Sequence, residues 1–181
     1  MSEIKSIETE YNGMLFRSRL EARWAVFFDA AGEKYEYEPD GFMLDGIGYV
    51  PDFYLPDLDL YVEVKPSREG AFLEISKTLG LIGTGQIKGL MVLSHFPEGV
   101  NLHFSYPVIF KLPVTNNIVV EDFAFVKRRN GGILLFPSGR HIDFDDSEKT
   151  LFSPAVGSHN GKYRDFDLHE CITKAKAYRF D

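Results

Sequence analysis

Apolar residues recur at helical spacing near the start of the chain. After Ser18 and as far as about Ala31 they occupy positions i, i+4, i+7 and i+8, which share one helix face, and Gly32 is typical of a helix end. These apolar residues are Leu20, Trp24, Phe27 and Phe28. Ser67 predicts the cap of a second helix that runs to about Leu79, where the glycines of 80–85 are expected to break it.

Short apolar runs bounded by turn residues predict strands between and after these helices. The predicted strands are 34–42, 48–54, 60–65, 88–93, 102–112, 118–127 and 133–136. The sequence Asn130-Gly131-Gly132 between the last two is typical of a hairpin turn. Residues 145–165 have little periodicity and are predicted to be loop, and 167–179 are predicted to form a closing helix.

The order of these elements predicts the fold class. A helix, three strands, a second helix and a further strand favour an α/β fold with a mixed sheet flanked by helices. We expect residues 1–112 to form the core. Residues 113–181 are expected to form a β-hairpin-rich C-terminal extension with the closing helix, packed on that core.

The segment 49–65, YVPDFYLPDLDLYVEVK, carries the candidate chemistry. Because side chains alternate faces along a strand, Glu63 and Lys65 lie on one face in an apolar context. A hairpin between the two strands of this segment would bring Asp52 beside Glu63. Two carboxylates at that place repel each other unless a cation lies between them, and oxygen ligands suit Mg²⁺ or Mn²⁺. A solvated strand face, with Asp52 capping a turn, is the alternative.

Two parts of the sequence resemble a known family. Pro51-Asp52 followed by Glu63-Val64-Lys65 resembles the signature of PD-(D/E)XK nucleases, which include restriction enzymes and Holliday-junction resolvases. The segment 16–39, FRSRLEARWAVFFDAAGEKYEYEP, resembles the leading helix of small phage and transposon members. The resemblance covers roughly 11–93 and implies a restriction-endonuclease-like core.

The resemblance also implies an activity and the residues that perform it. Asp52 and Glu63 are implied metal ligands, Lys65 positions or activates water, and Glu21 adds a further catalytic ligand. The implied protein is a Mg²⁺- or Mn²⁺-dependent endonuclease acting on DNA, from phage, mobile-element or recombination machinery, working alone, as a homodimer or in a larger nucleoprotein complex. The alternatives are an inactive nuclease-fold module that binds nucleic acid and a structural or inhibitory protein.

Glu21 has a second interpretation. Ser18-Arg19-Leu20-Glu21 has the spacing of a capping box, in which Ser18 caps the helix and Glu21 bonds back to its first amide. Arg17 lies one turn before Glu21 and could pair with it. Ala25 and Phe28 follow Glu21 on the same side of the helix, which places the carboxylate at the edge of the apolar stripe.

Charge sets limits on the partners. The net charge of −7 argues against a protein that coats nucleic acid without specificity. Cys171 is the only cysteine, so no internal disulfide forms, and no apolar run is long enough for a membrane span. A cytoplasmic protein is expected. Three candidate phosphate-binding residues lie on the first helix, with a solvated face as the alternative: Arg17, Arg19 and Arg23. At the hairpin tip the candidates are Lys127, Arg128 and Arg129, with protection of a sheet edge against aggregation as the alternative. Arg68, on the second helix, is a further candidate.

Overall fold

The computed structural model describes residues 6–44, 46–97, 105–112, 115–127, 132–137 and 166–180. Eleven strands and three helices lie in these ranges. The strands are β1 Thr9–Tyr11, β2 Met14–Phe16, β3 Glu36–Tyr37, β4 Phe42–Leu44, β5 Ile47–Tyr49, β6 Phe53–Leu55, β7 Leu60–Val64, β8 Gly89–Leu93, β9 Ser105–Lys111, β10 Ile118–Lys127 and β11 Ile133–Pro137. The helices are α1 Arg19–Ala31, α2 Arg68–Gly83 and α3 Phe166–Ala177.

Seven strands form one mixed sheet in the order β11-β10-β9-β8-β7-β6-β3. The β7 and β8 strands are parallel and are joined by α2, whereas the other neighbours are antiparallel. Two small antiparallel pairs, β1-β2 and β4-β5, lie outside this sheet. The predicted α/β class with a mixed sheet and flanking helices is confirmed.

The two faces of the sheet bury different helices. Val62 and Met91 belong to the core that contains α1 and α3, whereas Leu90 and Val92 belong to the core under α2. Glu63 is paired with Val92 in the parallel register and therefore lies on the α2 face. The sheet thus places the polar end of β7 under the start of α2.

The second helix is longer than predicted. Ser67 caps it as expected, since its hydroxyl accepts from the Gly70 amide at 3.1 Å. The predicted end at Leu79 is wrong, because α2 continues through Gly80 to Gly83. A Cβ at position 80 would lie 3.1 Å from Leu44 Cδ1, so the glycine permits close packing of β4 instead of ending the helix.

Two predicted strands are also corrected. The strand predicted over 34–42 is reduced to β3, because Glu38 has a left-handed φ of 46°. The strand predicted over 48–54 is divided into β5 and β6, which belong to different sheets. Pro51 lies at the division and has no amide hydrogen for a sheet bond.

The β1-β2 pair was not predicted. Asn12 and Gly13 connect its strands with φ of 52° and 76°, the conformation that an Asn-Gly hairpin turn requires. The dipeptide is therefore a sequence signal that identifies this hairpin.

The C-terminal elements continue the same architecture. The β10 and β11 strands extend the sheet beyond β9, and α3 packs against α1. The predicted division after residue 112 falls between β9 and β10 and stays a prediction. The predicted loop at 145–165, the first two residues of the 130–132 turn, and Arg128 and Arg129 lie outside the described residues. Within the described part of the chain, each helix is too short or too polar to cross a bilayer.

Candidate active site

The register of β6 against β7 brings the candidate residues together. Phe53 pairs with Val62, so Asp52, one residue before β6, lies opposite Glu63. Asp52 Oδ2 accepts a hydrogen bond from the Val64 amide at 2.7 Å, which fixes the carboxylate against β7. Asp52 and Glu63 are only 3% and 5% exposed. The hairpin expected from the sequence therefore produces a buried pair of carboxylates.

Asp52 is subject to opposing electrostatic influences. Burial and the charges of Glu63 and Glu21 raise the pKa of Asp52 to about 8. The Val64 amide and the guanidinium of Arg17, whose nitrogen lies 2.5 Å from Asp52 Oδ1, act in the opposite direction. The upward pKa shift indicates that the protein's own donors do not fully offset the cost of this buried charge.

Glu63 is held between a lysine and a tyrosine. Lys65 Nζ lies 2.6 Å from Glu63 Oε1, and the Tyr49 hydroxyl donates to Glu63 Oε2 at 2.7 Å. Burial raises the pKa of Glu63, although Lys65 and Tyr49 oppose the shift. Burial lowers the pKa of Lys65, but Glu63 and Glu74 outweigh it and the net direction is upward. Lys65 is therefore a stable cation in this arrangement.

Glu74 of α2 is a residue of the site that was not predicted from the sequence. It is 4% exposed, and its Oε2 lies 3.2 Å from Lys65 Nζ. Lys65 is thus placed between two buried carboxylates. A sequence signal existed, because Glu74 shares the inward stripe of α2 with Ala71 and Thr78, where an unpaired glutamate would be costly.

Glu21 combines features of both interpretations. The Ser18 hydroxyl accepts from the Glu21 amide at 3.1 Å, so Ser18 caps α1 as predicted. The Glu21 carboxylate, however, accepts from the Ser18 hydroxyl at 2.6 Å and from the Tyr37 hydroxyl at 2.7 Å. Its influence on the pKa of Asp52 places it in the same electrostatic cluster. A role as metal ligand stays a prediction.

The predicted phosphate-binding cations are dispersed. Arg17 pairs with Asp52 and with Glu38, the latter at 2.8 Å. Arg23 donates to the carbonyls of Ala175 and Lys176 at the end of α3. This contact gives Arg23 a structural role.

The other cations lie away from the carboxylates or beyond the described side chains. Arg19 is exposed on α1, and Arg68 lines a separate depression with His95. Lys127 lies at the end of β10, and its side chain is outside the described part. Nucleic-acid binding by these residues stays a prediction.

A cleft of about 560 Å³ opens over Glu63 and Lys65. The β4-β5 hairpin and the chain that follows it form one wall, and α2 forms another. The lining residues are Arg17, Leu44, Ile47, Gly48, Tyr49, Val50, Glu63, Lys65, Glu74 and Lys77.

The donor set can be compared with what a divalent cation requires. Among the described residues, no group of three or more His, Cys, Asp or Glu is arranged to hold a metal ion. All four oxygens of Asp52 and Glu63 accept bonds from protein donors. Two buried carboxylates with raised pKa values nevertheless have the chemistry of a Mg²⁺ or Mn²⁺ site. A divalent cation could bind between these carboxylates only if Arg17 or Lys65 gave up its bond to a carboxylate oxygen.

Comparisons with protein-family models, with curated proteins and with solved structures find no match. The residues of the site are therefore the basis from which a function is inferred.

Proposed function

We propose that this protein is a Mg²⁺- or Mn²⁺-dependent endonuclease that hydrolyses phosphodiester bonds in DNA, built on a restriction-endonuclease-like core. One observation carries the proposal. Asp52 and Glu63 are both buried and lie opposite each other, and Lys65 Nζ lies 2.6 Å from Glu63 Oε1. Residues with pKa values shifted by burial and by like charges are typical of functional sites.

The position of the group within the fold supports the proposal. Glu63 and Lys65 lie at the carboxyl end of β7, next to the parallel strand β8. In open α/β sheets, ligands bind outside the carboxyl ends of parallel strands. The cleft opens at this edge, and Glu63 and Lys65 are among the residues that line it.

Each residue has a proposed role. Asp52 and Glu63 would hold the cation, and Glu21 would assist them. The chemistry that a divalent cation would supply at this site is activation of water near neutral pH and neutralisation of charge on the scissile phosphate. Lys65, kept protonated by Glu63 and Glu74, supplies a point charge that orients the phosphate or the water.

A structural role is the second candidate. The ion pairs of Asp52 with Arg17 and of Lys65 with Glu74 connect the β6-β7 hairpin to the start of α1 and to α2. A protein that uses the charges only for this purpose would gain nothing from a divalent cation. The two candidates therefore differ in their response to metal.

Cleavage of nucleic acid tests the proposal. Supercoiled plasmid, a four-way junction and single-stranded oligonucleotides are incubated with the protein in Mg²⁺, in Mn²⁺ or in EDTA. We expect cleavage with metal only, and a loss of about 100-fold or more in Glu63→Gln and Lys65→Ala.

Matched controls make the same chemical changes at exposed positions. Asp57→Asn and Lys34→Ala alter exposed side chains and are expected to cleave like the wild type. Absence of cleavage for every substrate, or equal cleavage by Glu63→Gln, would contradict the proposal. Equal cleavage would identify a contaminating nuclease.

A further inference from the structure

The cleft over Glu63 has walls of different chemistry. Ile47 and Val50 line one side and are 72% and 40% exposed. Glu63, Lys65 and Lys77 line the other. Large aliphatic side chains and charged groups therefore face the same 560 Å³ space.

Ile47 and Val50 form the apolar wall of the cleft, and packing holds the hairpin that carries Ile47 in place. Leu44 packs against α2 at Gly80, and Gln86 Nε2 donates to the Met43 carbonyl at 3.2 Å. The Phe42 ring meets the Tyr61 ring edge-on with centroids 5.1 Å apart. Ile47 is therefore exposed on a fixed hairpin, where contact with an apolar ligand surface would be favourable.

The cleft has few cations to offer a polyanion. Of the described residues that line it, three are cationic, and Arg17 and Lys65 are already in ion pairs of 2.5 and 2.6 Å. Lys77 is 66% exposed and lies 3.9 Å from Glu74, so it is the most accessible of the three. Proteins that hold a duplex use many phosphate contacts. This cleft can serve only a short stretch of backbone.

We propose, on the basis of the proposed function, that the cleft accepts a nucleotide whose base is unpaired. The base lies against Ile47 and Val50, and its phosphate lies toward Lys77 and Lys65. A base inside a duplex has its faces covered by stacking, so only an unstacked base can present an apolar face to this wall. The substrate class is single-stranded or locally unpaired nucleic acid.

Binding and cleavage measured together test this inference. Fluorescence anisotropy in Ca²⁺ compares a 12-nucleotide single strand with the same sequence as a duplex. Cleavage in Mn²⁺ compares the single strand, the duplex and a duplex with an unpaired loop. We expect the wild type to prefer the single strand and the loop by about tenfold or more.

The double variant Ile47→Thr/Val50→Thr removes the apolar wall but keeps β-branched side chains. We expect it to lose about tenfold in affinity for the single strand, with unchanged Mn²⁺ binding. Met43→Thr is the control, because Met43 is 59% exposed on the same hairpin but is not one of the residues that line the cleft. It is expected to bind like the wild type.

The outcomes separate the two proposals. Equal binding and cleavage of duplex and single strand, with no effect of the double variant, would overturn the unpaired-base inference and leave the nuclease proposal intact. An equal loss in Met43→Thr would also overturn the inference. Failure of the wild type to cut or bind any nucleic acid would overturn both.

Discussion

Asp52 and Glu63 are almost completely buried, and a basic side chain partly offsets the charge of each carboxylate. The basic side chains are Arg17 and Lys65, at 2.5 and 2.6 Å. Burial and like charge still raise the pKa of both carboxyls. At the residue scale both carboxyls therefore hold a proton more tightly than free carboxyls do, and a divalent cation would compete with those protons.

The shifted pKa of Asp52 makes stability depend on pH. A free aspartate titrates near about pH 3.9, whereas Asp52 titrates at about 8 in the folded protein. The folded state thus binds this proton more tightly than the unfolded chain does. The resulting stabilisation is complete below the unfolded pKa and is lost as the pH rises through the folded pKa.

We expect the metal-free wild type to lose thermal stability relative to Asp52→Asn as the pH is raised from about 5 to about 8. The measurement is Tm by circular dichroism in EDTA. Asp57→Asn, at an exposed position, should show a constant difference from the wild type across this range. A constant difference for Asp52→Asn as well would mean that its pKa is not shifted.

Glu74 should position Lys65. In Glu74→Gln, Lys65 keeps Glu63 but loses its charged partner at 3.2 Å. We expect kcat for cleavage to fall on the order of tenfold to 100-fold, with KM and Mn²⁺ affinity little changed. Glu69→Gln, an exposed change in the first turn of the same helix, is the control. A parallel loss of Mn²⁺ affinity would instead place Glu74 among the metal ligands.

At the element scale, helix ends and the hairpin register could be predicted, because they depend on residues that lie close together in the sequence. Ser18 and Gly32 delimit α1, Ser67 caps α2, and the register of β6 on β7 places Asp52 opposite Glu63. The helix through Gly80 was not predicted, because the advantage of that glycine comes from the packing of Leu44, which lies far away in the sequence.

Two residues at the start of α1 have different expected roles, helix capping by Ser18 and metal binding by Glu21, which substitutions can separate. The Ser18 hydroxyl accepts from the Glu21 amide and donates to the Glu21 carboxylate. Ser18→Ala removes the cap and should cost about 1 kcal/mol of stability, without weakening Mn²⁺ binding. Glu21→Gln keeps the cap and should weaken Mn²⁺ binding with little change in Tm. A lower Tm in Glu21→Gln with unchanged Mn²⁺ binding would assign Glu21 to helix stability alone.

At the scale of the whole molecule, the site joins residues from the start of α1, the β6-β7 hairpin and α2. The hairpin pair could be predicted from the sequence, because a short turn connects its strands. The contacts of Tyr49 with Glu63 and of Glu74 with Lys65 could not, since they depend on how the β4-β5 hairpin and α2 lie on the sheet. Tertiary packing thus completes a site that the sequence indicates only in part.

The charge of the whole molecule affects how a substrate approaches. A net charge of −7 makes long-range steering of a polyanion unfavourable. In the proposed nuclease, substrate binding would therefore depend on local cations such as Lys77 and on the divalent cation itself. The position at which a divalent cation binds is therefore the property that tests the proposed function best.

Anomalous diffraction from crystals grown with Mn²⁺ tests the centre of the proposed function most directly. The expected result is a Mn²⁺ peak bound by the carboxylates of Asp52 and Glu63, with Arg17 or Lys65 displaced from one oxygen, and no such peak in Glu63→Gln. The proposal would be contradicted if no peak appeared between Asp52 and Glu63 at saturating Mn²⁺ and both carboxylates were still paired with Arg17 and Lys65.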